Sequence, residues 1–249
     1  MELTNSARKL VAGLSSARHR RQSGLFKAEG SKCVLSLMPY FTVDMLLATR
    51  AWIDSHSEWE HIATPVTAHD MERMSSLTTP SDVIAVFHIP ATDYQPETPR
   101  GELVLALDSV RDPGNLGTII RSADWFGVKT ILCSPDSVDL YNPKVVQATM
   151  GALARVKVHY CDICEAIRAA SPVPVYGTFL SGSNIYESSL SATGIVVMGN
   201  EGSGISQAVA SLVTLPLTIP SYPQGADTSE SLNVAVATSI VLSEFRRRL

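Results

Sequence analysis

The sequence predicts an α/β fold in which a C-terminal domain built on a parallel sheet follows a small α/β domain. The chain has 249 residues, which is more than one domain usually holds. In its second half, short apolar, β-branched runs alternate regularly with helical segments. Between the two halves, the stretch Pro90–Gly101 is proline-rich, polar and typical of a linker. We therefore expect one domain at residues 1–98 and a second at residues 99–249.

The N-terminal domain is expected to mix helices and strands. Apolar residues at helical spacing between Leu3 and Leu14 predict an initial helix. Strand-like runs follow at Lys32–Leu37 and Val83–Ile89, and a helix is predicted between them at Val43–Trp52.

The C-terminal domain is expected to alternate strands and helices. Strands are predicted at Leu103–Leu107, Thr130–Cys133, Val156–Val158, Val173–Thr178, Ile195–Met198 and Val213–Thr218. Helices are predicted at Leu116–Phe126, Pro143–Leu153, Cys161–Ala170, Ser206–Ala210 and Leu232–Arg248. Apolar strands separated by helices indicate a mostly parallel sheet covered on both faces.

Charge is distributed unevenly along the chain. The net charge is −4, so the whole chain is not a basic nucleic-acid binder. Over the first 32 residues, however, seven basic residues face only two acidic ones. This cluster is either a solvated helix surface or a patch that follows a phosphate backbone. The candidate nucleic-acid contacts in it are Arg18, Arg20, Arg21 and Lys27.

The cysteines and the hydropathy pattern indicate a reducing compartment. Four cysteines are few for this length, and most lie in apolar or helical runs, as buried reduced thiols do. Cys161 and Cys164 have the spacing of a redox or metal pair, but no second pair or nearby histidine completes a metal site. We therefore expect a protein without a metal. Because no leader-like or membrane-spanning apolar segment occurs, we also expect a cytoplasmic protein without membrane insertion.

The first of three polar segments follows the strand that ends at Leu107. Within Asp108–Ala123, Asn115 is predicted to cap a helix. Arg121 lies one to two turns into that helix among apolar neighbours, where an unpaired guanidinium would be costly. It is therefore either a clamp for a phosphate or carboxylate, or half of a buried ion pair.

The second polar segment, Gly199–Gly204, contains three glycines, which allow a backbone to approach a ligand closely. Its spacing is not the dinucleotide-binding fingerprint. The third segment runs from Ile219-Pro220 to Ser231, which is predicted at the start of the final helix and could cap it or face an anion. That helix is apolar almost all round, as helices buried in a core or between subunits are. Three loops at the ends of parallel strands should converge on one side of the sheet.

These segments resemble the three signature motifs of the SpoU/TrmH family of RNA ribose 2′-O-methyltransferases, in the SPOUT superfamily. The matching stretches are Asn115–Arg121, Met198–Gly204, and Ile219-Pro220 with Ser231–Ala237. Residues 139–152 are also similar to the family's connecting helix, and residues 20–30 more weakly to its substrate-binding domain. The loop over residues 221–230 departs from the family in being longer than usual.

The resemblance implies a deep trefoil knot in the C-terminal domain, a homodimer with its active site near the subunit interface, and S-adenosylmethionine as cofactor. The same resemblance implies that the cofactor contacts are Thr178, Leu180, Gly199, Asn200, Gly202, Ile219 and Leu232. The catalytic set is Asn115, Arg121, Glu201, Ser231 and Asn233. The implied substrate is structured RNA. Ribosomal RNA is favoured over transfer RNA, because the chain has a separate N-terminal domain.

In the mechanism that this resemblance suggests, Arg121 grips a phosphate and orients the ribose hydroxyl. Because a guanidinium stays protonated, three candidates for the base remain open: a water, the substrate phosphate or a perturbed arginine. Two other functions are alternatives, a non-catalytic RNA-binding factor and a nucleotide-binding oxidoreductase. The intact catalytic set disfavours the first, and the missing fingerprint disfavours the second.

Overall fold

The computed structural model describes residues 3–223 and 229–247. The chain divides into two compact units. The first comprises Met1–Ala91 and Asp139–Ala154, and the second comprises Thr92–Val138 and Arg155–Leu249. The segment Asp139–Ala154, which the sequence analysis placed in the C-terminal domain, thus groups with the first unit.

The first unit is built on a four-stranded sheet with the order β1-β4-β2-β3. The strands are β1 Leu25–Glu29, β2 Val43–Ala48, β3 Ala63–Pro65 and β4 Val83–His88. The helices are α1 Asn5–Gly13, α2 Ala17–Ser23, α3 Ser31–Leu37, α4 Arg50–Ser55, α5 Ala68–Met74 and α8 Pro143–Thr149, with short 3-10 turns at Ser57–Trp59 and Ala152–Ala154. Strands β1 and β2 both pair antiparallel with β4, whereas β3 pairs parallel with β2.

Two predictions for this unit were wrong. Residues Lys32–Leu37 form most of helix α3 rather than a strand, and Val43–Ala48 form strand β2 rather than a helix. Apolar runs of this length carry no clear period, so sequence alone does not separate a short buried helix from a short buried strand. The helix predicted up to Trp52 begins only at Arg50, where the Thr49 hydroxyl accepts a hydrogen bond from the Trp52 amide.

The second unit contains a six-stranded sheet in the order β10-β8-β9-β5-β6-β7. Its strands are β5 Leu103–Leu107, β6 Thr130–Cys133, β7 Lys157–Tyr160, β8 Val175–Asn184, β9 Gly194–Met198 and β10 Leu215–Thr218. Its helices are α6 Thr98–Gly101, α7 Pro113–Trp125, α9 Ile163–Ala170, α10 Gln207–Ala210 and α11 Val234–Arg247. Every strand pair in this sheet is parallel, so the predicted parallel-sheet domain is confirmed.

The sheet order creates a switch point between β5 and β9. From β5 the chain proceeds through β6 to β7 at one edge, and then returns to β8 and β9 on the other side of β5. Loops that leave two adjacent parallel strands in opposite directions open a crevice at the carboxyl ends of those strands. Leu107 and Met198 end β5 and β9 side by side, so the first two polar segments begin at this crevice.

Candidate active site

Three polar side chains from three distant segments meet through hydrogen bonds. Asn115, in the first turn of α7, donates its side-chain amide to Oε1 of Glu201 in the glycine-rich loop. Asn233, immediately before α11, donates its own amide to Oδ1 of Asn115 over 2.9 Å. The Asn115 amide is therefore fixed from both sides, by an acceptor and by a donor. We refer to these residues as the polar triad.

Helix caps fall on residues other than those predicted. Asp112, not Asn115, caps α7, because its carboxylate accepts from the Asn115 backbone amide at 2.8 Å. Asn233, not Ser231, closes the start of α11, because its Oδ1 accepts from the amides of Ala235 and Val236. Because Asp112 caps α7, the Asn115 side chain is available to the polar triad. Ser231 is exposed, and no hydrogen bond among the described residues joins it to the triad.

Arg121 is exposed rather than buried among apolar neighbours. Ile119, Ile120 and Ala123 face the core, and the helical period turns Arg121 to the opposite side. Its guanidinium forms no hydrogen bond or ion pair with any residue in the described ranges 3–223 and 229–247. The alternative of a buried ion pair was therefore wrong, and five N–H donors remain available to a bound phosphate or carboxylate.

The glycine-rich loop after β9 is tightly closed. The backbone groups of Asn200 and Gly204 exchange two hydrogen bonds of 2.9 Å each. A Cβ at position 199 would lie 2.3 Å from the carbonyl carbon of Gly204, so only glycine fits there. Gly204 itself has φ +68°, a left-handed conformation that glycine adopts without strain. The loop thus presents Glu201 from a fixed backbone.

The predicted cofactor contacts occupy different environments. Leu180 and Leu232 are 80% and 46% exposed, so their apolar side chains are accessible to a ligand. Leu180 and Ile219 lie near each other, because the Thr218 hydroxyl donates to the Leu180 carbonyl at 3.2 Å. Thr178 donates its hydroxyl to the Val197 carbonyl beside the end of β9.

Asn200 differs from the other predicted cofactor contacts, because its polar groups are already used. Its Oδ1 accepts from the amides of Gly202 and Ser203, and its Nδ2 donates to the Ser109 carbonyl at 2.8 Å. A direct polar contact from its side chain to the cofactor is therefore not supported. Gly202 contributes no side chain, so it remains a candidate through its backbone only.

The basic cluster of the first unit separates into buried and exposed residues. Arg20 is 2% exposed, pairs with Asp139 at 2.6 Å and donates to the Leu14 carbonyl. Lys27 is equally buried and pairs with Glu29 at 3.2 Å, and its burial lowers its pKa despite that partner. Neither cation can reach an RNA phosphate from these positions, so their prediction as RNA contacts is corrected.

Arg18 and Arg21 on α2 are exposed and remain candidates for RNA contact. The sequence cannot separate the four cations, because the partner that buries Arg20 lies 119 positions away. Two residues of the second unit were missed altogether. Asp108 accepts from the Ser206 amide at 2.8 Å, and Trp125 is 85% exposed on α7. Helical spacing from Arg121 could have placed Trp125 on the exposed face of α7.

Over the described parts of the chain, His, Cys, Asp and Glu side chains form no group that could hold a metal ion. No helix within those parts is both long and apolar enough to cross a bilayer. All four cysteines are free.

The parallel sheet, the polar loops at its switch point, the closed glycine turn and the linked Asn–Glu–Asn set together form a crevice of the kind that binds ligands in open α/β folds. Residues 102–243 match the model of the SpoU rRNA Methylase family, and the chain belongs to that family. This match confirms the predicted family and the methyltransferase class, and solved relatives that hold AdoMet agree with the predicted cofactor S-adenosylmethionine.

Individual relatives extend the likeness beyond the matched residues. The 23S rRNA (guanosine(2553)-2′-O)-methyltransferase RlmP of Bacillus subtilis (strain 168) is 29% identical over 94% of this chain and 93% of its own length. A solved structure from Porphyromonas gingivalis, assigned to the TrmH family of RNA methyltransferases, has a TM-score of 0.89 and 38% identity, with both chains fully covered. An AdoMet-bound rRNA methyltransferase from Sinorhizobium meliloti has a TM-score of 0.85 and 30% identity, covering 100% of this chain and 97% of its own.

Proposed function

We propose that this protein transfers a methyl group from S-adenosylmethionine to a ribose 2′-hydroxyl in ribosomal RNA. The observation that carries the proposal is the polar triad together with an exposed Arg121, which lies on the same helix as Asn115 and pairs with none of the described residues. Family membership supplies the reaction class. Ribosomal RNA is favoured over transfer RNA because a relative that matches almost the full chain is named as a 23S rRNA enzyme.

The residues around the crevice suit the cofactor. Exposed Leu180 and Leu232 offer apolar surface for an adenine ring, and half-buried Ile219 lies near Leu180. The closed loop at Gly199 and Gly202 offers backbone groups without side chains in the way. When bound, the cofactor supplies a methyl group on a positively charged sulfur. Thr178, Leu180, Gly199, Gly202, Ile219 and Leu232 would hold it.

Arg121 is proposed to bind the phosphate next to the target ribose. Its planar fork matches a phosphate, and the absence of a partner among the described residues means that no ion pair must break first. The polar triad then orients the 2′-hydroxyl, since alignment of the nucleophile alone can contribute about 7–11 kcal/mol in favourable cases. Ser231, exposed just before the triad's Asn233, is proposed as a further polar contact to the ribose.

The first unit is proposed to bind the RNA substrate. Arg18 and Arg21 project into solvent from α2, with Arg20 buried between them as the structural anchor of that helix. Exposed arginines on a fixed helix can follow a phosphate backbone without reading its sequence. This role is independent of the catalytic chemistry, which lies in the second unit.

We also propose a homodimer formed through α7 and α11. These helices lie side by side and parallel, as the Ser122–Ser239 contact of 2.7 Å and the Arg246 bond to the Phe126 carbonyl indicate. Trp125 and Val236, 85% and 49% exposed, leave apolar surface on the pair. A partner covering that surface would bury an aromatic anchor of the kind that dominates interface energies.

Two further features complete the proposal. We propose that the C-terminal domain contains the trefoil knot of the family, a view supported by the return of the chain end to the first motif through Asn233 and Asn115. We propose a cytoplasmic location, because four free cysteines suit a reducing compartment. The departure noted in the loop over residues 221–230 falls partly on residues 224–228, which lie outside the described residues.

The test is mass-spectrometric mapping of ribose methylation in ribosomal and transfer RNA from cells that lack the protein. One 2′-O-methyl mark in ribosomal RNA should disappear, return with the wild-type gene, and stay absent with Arg121→Ala. Loss of a transfer-RNA mark instead would identify transfer RNA as the substrate. An unchanged methylation map would favour the alternative of a non-catalytic RNA-binding factor and refute the proposal.

A further inference from the structure

Asn200 links the glycine-rich loop to the loop that follows β5. Its backbone closes the turn with Gly204, and its Oδ1 accepts from the backbone amides of Gly202 and Ser203. Its Nδ2 donates to the carbonyl of Ser109, 91 positions away, and makes a longer contact of 3.5 Å with Oε2 of Glu201. The side chain thus spans the crevice and is adjacent to a member of the polar triad.

Ser109, whose carbonyl accepts the bond from Asn200 Nδ2, has an unusual backbone conformation. Its φ is +62°, in the left-handed region that residues other than glycine rarely adopt. Its own amide donates to the Ser134 hydroxyl at 2.8 Å, which holds the residue from its other side. A strained residue persists where its surroundings determine its conformation, and such residues concentrate at functional sites.

Ser134 is in turn held by a charged pair. Its hydroxyl donates to Oδ1 of Asp136 at 2.7 Å, while Arg111 binds Oδ2 at 2.8 Å. The Arg111 guanidinium, with the hydroxyls of Ser134 and Ser109, keeps the pKa of the Asp136 carboxyl well below its usual value. The carboxylate therefore stays ionised as an acceptor at physiological pH. Because Arg111 belongs to the same loop as Ser109, the chain of contacts fastens that loop at both ends.

We propose that Ser109, Ser134, Asp136 and Asn200 form a positioning relay for methyl transfer, which sets Glu201 in place against Asn115. None of the four needs to touch the substrate or the cofactor. The relay fixes the first polar segment through Ser109 and the second through Asn200, and the bond from Asn115 to Glu201 joins the same two segments. The predicted effect of the relay on catalysis rests on the proposed methyl transfer. The coupling of the two loops does not depend on that function.

Matched substitutions at position 109 separate backbone conformation from side-chain chemistry. Ser109→Gly adopts a positive φ freely and should keep at least about half of the wild-type rate. Ser109→Val carries a β-branched side chain that disfavours this conformation, and should lower kcat about 10- to 100-fold. Asn200→Asp preserves the acceptor for Gly202 and Ser203 but replaces the donor to Ser109, and should behave like Ser109→Val. In both impaired variants the KM for RNA should change little, whereas the backbone strain in Ser109→Val should lower the melting temperature by a few degrees.

Hydrogen exchange provides a readout that does not depend on catalysis. In Ser109→Val, exchange should accelerate both over residues 108–112 and over residues 199–206, whereas Ser109→Gly should resemble the wild type. If the wild-type protein does not methylate RNA, the proposed function fails while this coupling can still be observed. Equal kcat values for the Gly and Val variants, or faster exchange confined to residues 108–112, would overturn the relay.

Discussion

The side-chain amide of Asn233 donates a 2.9 Å hydrogen bond to Oδ1 of Asn115, although 118 positions separate the two residues. The same Asn233 side chain caps α11 through its oxygen. One residue therefore starts the final helix with one end of its amide and fixes the candidate active site with the other. These two roles are separable by substitution.

Asn233→Asp should separate the cap from the site. The carboxylate keeps an acceptor for the Ala235 and Val236 amides, and its charge suits a helix N-terminus, so stability should be unchanged or slightly higher. The donor to Asn115 is lost, and methyl transfer should fall about 100-fold. Asn233→Ala should lose activity and also about 1 kcal/mol of stability. Urea denaturation measures the stability of both variants, and single-turnover kinetics measure their methyl-transfer rates. A fully active Asn233→Asp enzyme would show that the bond from Asn233 to Asn115 has no part in the mechanism.

Arg121→Ala should lower kcat/KM for RNA by about 100-fold or more and leave the affinity for S-adenosylhomocysteine unchanged. The reason is that its guanidinium faces solvent and is proposed to hold substrate, not cofactor. Arg121→Lys should restore only part of the rate, because an ammonium cannot make the bidentate contact. Thr118→Ala, also exposed on α7, is the matched control and should behave as wild type. Calorimetry and steady-state kinetics decide; normal kinetics in Arg121→Ala would contradict the phosphate clamp.

Trp125→Glu should shift the protein from dimer to monomer at micromolar concentration. A buried charge without a partner at an interface centre costs several kcal/mol, enough to dissociate a dimer of ordinary affinity. The control is Tyr40→Glu in the first unit, where an aromatic side chain that is 58% exposed should tolerate the change. Light scattering coupled to size-exclusion chromatography measures the mass. A wild-type monomer, or a dimer that survives Trp125→Glu, would place the interface elsewhere or exclude it.

Lys27→Met should destabilise the first unit by about 3–5 kcal/mol. Removing the ammonium leaves the Glu29 carboxylate buried, with Ser75 and Ser76 as its remaining donors among the described residues. Adding Glu29→Gln to Lys27→Met should recover much of the loss, because the uncharged amide can accept from the Ser76 backbone amide through its oxygen and donate to the Ser75 hydroxyl through its NH2 group. Urea denaturation measures the difference. A Lys27→Met variant with wild-type stability would show that the buried pair contributes nothing.

The double variant Arg18→Ala/Arg21→Ala should weaken RNA binding without affecting stability. Each lost phosphate contact should reduce the slope of log affinity against log salt concentration by about 0.7–0.9. Binding titrations at several salt concentrations give that slope. An unchanged slope would assign these exposed arginines to a solvated surface.

Much of the second unit could be predicted because its strands are continuous apolar runs. Leu103–Leu107 and Thr130–Cys133 were predicted with the bounds observed. The first unit was harder, since the six-residue runs at Lys32–Leu37 and Val43–Ala48 fit a helix or a strand equally well. Tertiary packing decided between these states, and local sequence does not contain it.

The residues of the polar triad could be indicated from the sequence, but their geometry could not. Family motifs indicated Asn115, Glu201 and Asn233, but not which of them would be joined by hydrogen bonds. The cap at Asp112 and the strained Ser109 depend on backbone conformation that composition does not reveal. Burial of Arg20 could not be foreseen either, because its partner Asp139 belongs to a segment that joins the first unit only in the folded chain.

The most direct test of the central claim is the position of the transferred methyl group. Purified protein, S-adenosylmethionine and ribosomal RNA fragments would be incubated, and the digested nucleosides analysed by mass spectrometry. We predict one nucleoside with the methyl group on its ribose 2′-oxygen, formed by the wild type and at least about 100-fold more slowly by Arg121→Ala. A methyl group on a base, or no transfer by a protein that binds the cofactor, would contradict the account.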